Sequence, residues 1–479
     1  MADGAPLTIR LELARAEDTG DAYAFRTGPQ DYILRWEGGA FEQARLVWDD
    51  ALQQDLAAVR LPGRDPELVR RIGVRLQRFL EPTRFRDLAA QIQAAALAGR
   101  PVHLDIVSAA AELYTLPWEL LTLGDGRHLG ELPDIVLQYR WPGAQPAPPA
   151  RLPRPEGGRI LLAWSRAFGG VGDGLTVDAI DAAARAGFVA FDRVKDVLPD
   201  MSLATLVAEL ERRVAGPDPP AILHVLAHGA PVGRSYGLGL DDGRGGREVV
   251  DAAALRRALA PFAAHLRLVV LMTCDGGNPG PLGALLGSSV QELHRAGFEA
   301  VVGSRFPLAG GAALEFAGAL YGGLLERTCS IDQAFTSEHT RLARGTGLDW
   351  ASLMLHGHAR PGRGARPIVF RPHRGLLAFE REHARFFFGR DAERREAVAD
   401  LQRLIADGQP RFLVVAGASG TGKSSVVLAG VVPDVEALGW TTAVMRPGRT
   451  PMRTLDEALA LRPQDDRPCL LVVDQFEEV

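Results

Sequence analysis

At 479 residues the chain exceeds what one ordinary hydrophobic core organises, so two or three domains are expected, each burying its own apolar face. Its 47% hydrophobic and 24% charged residues are those of a globular protein, and a formal net charge of -5 supplies no basic field for wrapping nucleic acid. Three cysteines exclude a disulfide framework, and the absence of a cationic-then-apolar leader or an apolar run of bilayer length points to a soluble, cytoplasmic protein with no membrane partner.

Residues 1–140 alternate strand-like pieces (LTIRLEL, DYILRW, PVHLDIV) with helical ones (ELVRRIGVRLQRFL, FRDLAAQIQAAALAG), as an α/β subdomain packing on the sheet that follows. Residues 141–158 hold six prolines and read as an extended spacer. From 159 to 358, short apolar runs (RILLAW, AILHVLA, LRLVVLMT, EAVVGS) alternate with amphipathic stretches such as SLATLVAELERRV, which predicts an α/β core with a mostly parallel sheet flanked by helices. Residues 359–374, rich in Gly, Pro and Arg, form a second linker, and 375–479 a further α/β segment.

Two strands of the core are predicted to end in a reactive side chain followed by glycine. AILHVLA leads into His228-Gly229, and LRLVVLMT leads into Cys274-Asp275-Gly276-Gly277. Carboxyl ends of parallel strands share one edge, so the two side chains are expected to face one crevice. An imidazole within hydrogen-bond reach activates a thiol, and glycine lets backbone N–H groups approach a developing oxyanion; together these suit acyl transfer. His224 and His228 have the i, i+4 spacing of a zinc pair, but that pairing needs a helix, so His224 is taken as structural. His356 and His358 are read as surface or edge residues, Cys329 and Cys469 as inert, and Trp118 as a packing anchor.

The 46 residues from His228 to Cys274 approximate the separation of about 50 found in caspases, although MTCDG is not the caspase pentapeptide. HVLAHG and VVLMTCDGG, with LPWELL at 116–121 upstream and GFEAVVGSRFPL at 297–308 downstream, resemble the CHAT family of caspase-related peptidases over roughly residues 60 to 358. That resemblance implies a caspase-like cysteine endopeptidase acting on a protein substrate. His228 would be base and then acid, Cys274 the nucleophile, and the N–H groups of Gly229 and Cys274 the oxyanion hole. Asp275, directly after the nucleophile, is a departure that would favour a basic residue before the scissile bond.

RFLVVAGASGTGKSSVVLAG is a P-loop pattern between an apolar run and a helix: Gly417, Ser419, Gly420, Thr421 and Gly422 curl around phosphates, Lys423 bridges the outer phosphates, and Ser424, beside Ser425, offers its hydroxyl to magnesium. CLLVVDQFEEV follows with Asp474 as the second magnesium partner and Glu477 or Glu478 placed to polarise water. The 105 residues from Gly375 to Val479 fall short of the roughly 150 of a complete domain of this kind, so an incomplete P-loop NTPase α/β domain is expected, as a fragment of a longer chain. This stretch resembles the STAND class of signalling NTPases, in which the element corresponding to Phe388-Gly389-Arg390 lies near the base. The resemblance implies ATP and Mg as cofactors, a C-terminal sensor missing here, homo-oligomerisation on activation, and a signal-gated protease of prokaryotic defence or cell death. A catalytically silent CHAT-like scaffold is the alternative, while a P-loop motor on nucleic acid finds little support in an acidic chain.

Overall fold

The structure, a computed structural model, describes residues 6–17, 20–61, 65–150, 158–166, 173–232, 235–273, 288–308, 310–345, 347–358, 365–370, 373, 375, 377–406, 412–448, 450–460 and 467–475. They fall into two compact units, one reaching to Ala184 and resuming from Phe191 to Val369, the other made of Arg185–Ala190 and the residues from Phe370 onward.

In chain order the larger unit contains β1 (Leu7–Arg15), β2 (Gly28–Trp36), β3 (Phe41–Trp48), α1 (Asp50–Ala58), α2 (Pro66–Leu80), α3 (Phe85–Leu97), β4 (Val102–Ser108) and β5 (Ile135–Arg140). It continues with β6 (Arg159–Trp164), α4 (Asp173–Ala186), β7 (Val197–Leu198), α5 (Leu203–Val214), β8 (Pro220–Val232), β9 (Ser235–Asp241), β10 (Arg247–Asp251), α6 (Ala252–Leu259) and β11 (Leu268–Thr273). Last come α7 (Ser289–Arg295), β12 (Ala300–Ser304), α8 (Gly310–Tyr321), α9 (Ile331–Ala343) and β13 (Leu353–Gly357).

All thirteen strands join one sheet in the order β10-β9-β8-β11-β12-β13-β5-β4-β1-β2-β3, with β6 and β7 attached beside β8. The predicted mostly parallel α/β architecture is present: β6, β8, β11 and β12 form a parallel centre, and antiparallel pairs occupy both margins. The central strands are apolar on both faces because both are covered. Leu206 and Leu210 of α5, Leu255 and Leu259 of α6, and Leu293 of α7 pack against Leu223, Val225, Val269 and Leu271 on one face, while α8 reaches the other through Tyr321. At the opposite margin β2 and β3 alternate instead. Tyr32, Leu34, Trp36, Ala44, Leu46 and Trp48 point into the core beneath α2 and α3, and Ile33, Phe41 and Val47 face outward.

The apolar stripe of α2 (Leu68, Ile72, Leu76, Phe79) follows helical spacing, and the helix opens with an Asp65 cap, Pro66 at its first position and Glu67 in its first turn. Gly73 lies on the same buried side, where a Cβ would stand 2.3 Å from the Leu120 carbonyl oxygen and 2.4 Å from Thr122 Oγ1. Helix propensity favours Gly73→Ala by about 1 kcal/mol, but the clash with backbone outweighs it. A net loss of about 1–3 kcal/mol is expected in urea unfolding, and an unchanged midpoint would refute this packing.

The smaller unit contains α10 (Asp391–Ala406), α11 (Lys423–Ser425) running through a π-helical turn at Val426–Val431 into α12 (Val432–Ala437), then β14 (Thr441–Met445), α13 (Pro451–Ala460) and β15 (Cys469–Val473). β14 and β15 pair in parallel, and small clusters around Leu428, Val432 and Val472, and around Ala443, Met445 and Ala458, hold the helices on them. The strand predicted before the phosphate loop differs from expectation. Residues 412–418 join no ladder among the described residues, and Phe412, Val414 and Val415 are exposed, because apolar composition makes a strand only where a neighbour takes up its backbone bonds.

Candidate active site and phosphate loop

His228 sits where β8 changes partners. Up to Leu226 and Ala227 the strand runs parallel to β6 and β11; from His228, opposite Gly239, through Val232 it pairs antiparallel with β9. The strand therefore does not end at His228, as its glycine suggested, but passes out of the parallel sheet into a hairpin. The exchange still sets His228 at the carboxyl margin of the parallel strands, where sites form. Its ring is half-buried, and Nε2 is buried without a hydrogen-bond partner among the described residues. Gly229, also half-buried, pairs with Leu238. The β8–β11 ladder closes with Thr273 opposite Ala227, the residues that precede Cys274 and His228 in the sequence. Cys274 and Asp275 lie outside the described residues.

His224 is fully buried, with Nδ1 2.9 Å from the Tyr321 hydroxyl and the two rings stacked. Burial alone pushes its pKa down to about 3, so it is a neutral packing group. Four residues along a strand span about 13 Å, too far for two ligands of one zinc ion. Among the described residues no cluster of three His, Cys, Asp or Glu side chains is arranged to hold a metal. The surface reading of His356 is corrected: β13 lies between β12 and β5 inside the sheet, and His356 is 1% exposed. Its ring stacks on Tyr139 and Tyr114, and burial, with smaller contributions from Arg305 and His358, lowers its pKa to about 3. His294 of α7 stacks on His358 at 4.3 Å. Cys329 and Cys469 are half-buried free thiols.

The two flanking sequence motifs meet in the interior. Glu119 of LPWELL and Arg305 of GSRF form a 2.6 Å ion pair with both side chains buried, and the Tyr139 hydroxyl donates to Glu119 at 2.8 Å and accepts from Arg305 at 2.7 Å. Burial opposes the Arg305 charge, but Glu119 and Tyr139 outweigh it and raise the guanidinium pKa. Trp118, fully buried, donates from Nε1 to the Leu113 carbonyl and is the expected anchor. The sequence showed these motifs only as separate signatures; an acid between Trp118 and Leu120 and a base beside Phe306 were the available signal for their pairing.

In the smaller unit the phosphate loop has the backbone its glycines permit, with φ of 80° at Gly420 and 88° at Gly422. Lys423 Nζ folds over the loop to the carbonyl oxygens of Gly417 (2.8 Å) and Ala418 (3.3 Å). Thr421 closes the turn onto Ala418, and Ser419 lies at the exposed tip. The Ser424 hydroxyl donates to Asp474 at 2.7 Å, so the two predicted magnesium partners are adjacent. Arg446, not singled out in the sequence, donates to the other Asp474 oxygen at 3.1 Å, because it follows β14 as Asp474 follows the parallel β15. Ser425 is occupied in accepting from the Phe379 N–H, and Arg390, after Gly389 with φ of 83°, reaches the Thr421 carbonyl at 3.3 Å. These donors and glycines fit a nucleotide with a divalent cation. Glu477 and Glu478 lie outside the described residues. No helix among the described residues is long and apolar enough to cross a membrane.

A family model described as "CHAT domain" matches residues 77–358, more than half the chain, and one described as "Novel STAND NTPase 1" matches residues 372–479, which implies nucleotide binding by that segment. Comparison with curated proteins finds no match. Among solved structures, the chain is similar to one described as "Structure of Protease", at 12% identity and a TM-score of 0.38 over 59% of this chain and 69% of that one. It is also similar to the Saccharomyces cerevisiae separase–securin complex at 10% identity and a TM-score of 0.35, over 73% of this chain but 30% of that chain. A secreted C11 cysteine protease from Bacteroides thetaiotaomicron, in complex with an irreversible peptide inhibitor, matches at 12% identity and a TM-score of 0.27, over 42% of this chain and 66% of that one.

Proposed function

This chain belongs to the CHAT-domain family and carries a STAND NTPase segment after that domain, and from that premise we propose that it is a signal-gated cysteine endopeptidase whose dyad is His228 and Cys274. One observation carries the reading. His228 stands at the margin of the parallel sheet with an Nε2 that is buried and has no hydrogen-bond partner among the described residues, and the neighbouring β11 ends in register at Thr273, the residue before Cys274 in the sequence.

In the proposed reaction His228 takes the Cys274 thiol proton, and the thiolate adds to the scissile carbonyl, forming a C–S bond and an oxyanion held by the N–H groups of Gly229 and Cys274. Collapse breaks the C–N bond as His228 returns the proton to the leaving amine, and water, deprotonated by His228, then hydrolyses the thioester. Cleavage of a diverse peptide library, with and without ATP and magnesium, tests the activity. Defined cut sites support a peptidase, whereas folded, nucleotide-bound protein that cuts nothing favours the scaffold.

The regulatory half of the proposal is an ATP–magnesium switch that clusters chains and orders the peptidase loops, in a cytoplasmic defence or cell-death response. Lys423 would hold the outer phosphates, and Ser424 and Asp474 the magnesium, whose charge neutralises that of the phosphates. In titration with a fluorescent ATP analogue, Lys423→Ala should weaken affinity at least about tenfold with or without magnesium, and Ser424→Ala only with it. Equal affinities in all three proteins would remove nucleotide from the account.

A further inference from the structure

β3 is the last strand of the sheet, paired only with β2 among the described residues. Arg75 donates to the Val47 carbonyl at 3.2 Å, so that carbonyl points away from β2. In an antiparallel strand the main-chain groups alternate sides, which turns those of Gln43 and Arg45 toward the same free edge, where their N–H groups meet no acceptor among the described residues. Such an edge is a template for a further strand.

The edge borders a groove of about 750 Å³ lined by Arg45, Arg70, Arg71, Arg75, Arg78 and Asp55. Arg71, Arg75 and Arg78 recur at i, i+4 and i+7, forming one stripe along α2 beside the strand. Arg45, Arg70, Arg71 and Arg75 pair with Asp31, Glu67, Asp55 and Asp49, all at least partly exposed, and such pairs contribute little and exchange readily. Exposed Arg78 has no ion pair or hydrogen bond among the described residues.

We propose that the free edge of β3 and this arginine groove form a docking site for an extended acidic segment of another protein, which adds as a strand while alternate carboxylates face the α2 stripe. Alternate residues of a strand lie about 7 Å apart, and the stripe spans about 10 Å, so two or three acidic residues can engage it. Charge argues against a second copy of this chain, since pairing two β3 edges would bring two arginine grooves together. A free peptide edge favours polypeptide over nucleic acid, which offers no backbone amides to extend a sheet. Eight strand positions, about 38 Å, separate β3 from β8, so the site is distinct from the peptidase centre and independent of the function proposed for it.

The test is fluorescence anisotropy on the full chain with two labelled peptides, alternating Glu-Val and alternating Lys-Val. The acidic peptide should bind at least tenfold more tightly, with affinity falling as salt rises. The triple variant Arg71→Glu, Arg75→Glu, Arg78→Glu should lose at least tenfold for the acidic peptide. Gln43→Pro, which deletes an edge N–H and is tolerated on an outer strand, should lose as much. Should either variant misfold by circular dichroism, the peptide preference and salt dependence of the native chain still decide. Equal binding of the two peptides, undiminished binding by a folded Gln43→Pro, displacement of the peptide by single-stranded DNA at lower concentration, or a chain dimer abolished by Gln43→Pro would each overturn the proposal.

Discussion

His228→Ala should lower the rate of peptide cleavage at least about 10³-fold while leaving the unfolding free energy within about 0.5 kcal/mol of the parent. The split follows from the position of the side chain. His228 is half-buried, stands at the exchange from parallel to antiparallel partners, and makes no hydrogen bond through Nε2 among the described residues, so its removal breaks no structural bond there. The contrast is His224, four residues earlier on the same strand, fully buried, stacked on Tyr321 and hydrogen-bonded to it. His224→Ala should therefore destabilise, by about 2–3 kcal/mol, from the cavity and the unpaired hydroxyl it leaves. A His228→Ala protein that cleaves at the parent rate would remove His228 from the chemistry.

Arg305→Ala should cost about 3–5 kcal/mol of unfolding free energy, because it strands the Glu119 carboxylate in the interior beside Tyr139. Glu119→Ala should cost a similar amount by stranding the guanidinium. The double variant Arg305→Met, Glu119→Leu, which replaces both charges with apolar side chains, should recover most of the loss, since desolvating two charges offsets much of what their pairing contributes. Urea unfolding of the three proteins separates these outcomes. Single variants within 1 kcal/mol of the parent would show that water reaches the pair. The pair ties the Pro-Trp-Glu turn to the end of β12, and Arg305 also holds the Ala351 carbonyl in the turn that leads into β13, so its loss should loosen the centre of the sheet.

Much of this architecture was legible in the chain. The run ELVRRIGVRLQRFL predicted α2 because its apolar spacing has a single helical solution, and the continuous apolar runs of β6, β8 and β11 predicted buried parallel strands. The Ser424–Asp474 contact follows from a motif whose spacing encodes its geometry. Non-local relations were hidden. Nothing around His228 announces that β8 changes partners there, since both ladders accept the same small and apolar residues. His356 looked peripheral because LMLHGHAR ends a strand, yet that strand lies mid-sheet between partners distant in sequence. The apolar run before the phosphate loop read as a strand because composition reports what a segment can bury, not which neighbour it meets.

The dyad itself is tested most directly by treating the native chain with an electrophilic peptide and locating the adduct by mass spectrometry, in parallel with His228→Ala. The account predicts modification at Cys274 in preference to the half-buried thiols of Cys329 and Cys469, slowed at least about tenfold without the imidazole. Equal labelling of the three cysteines, unaffected by His228→Ala, would contradict it.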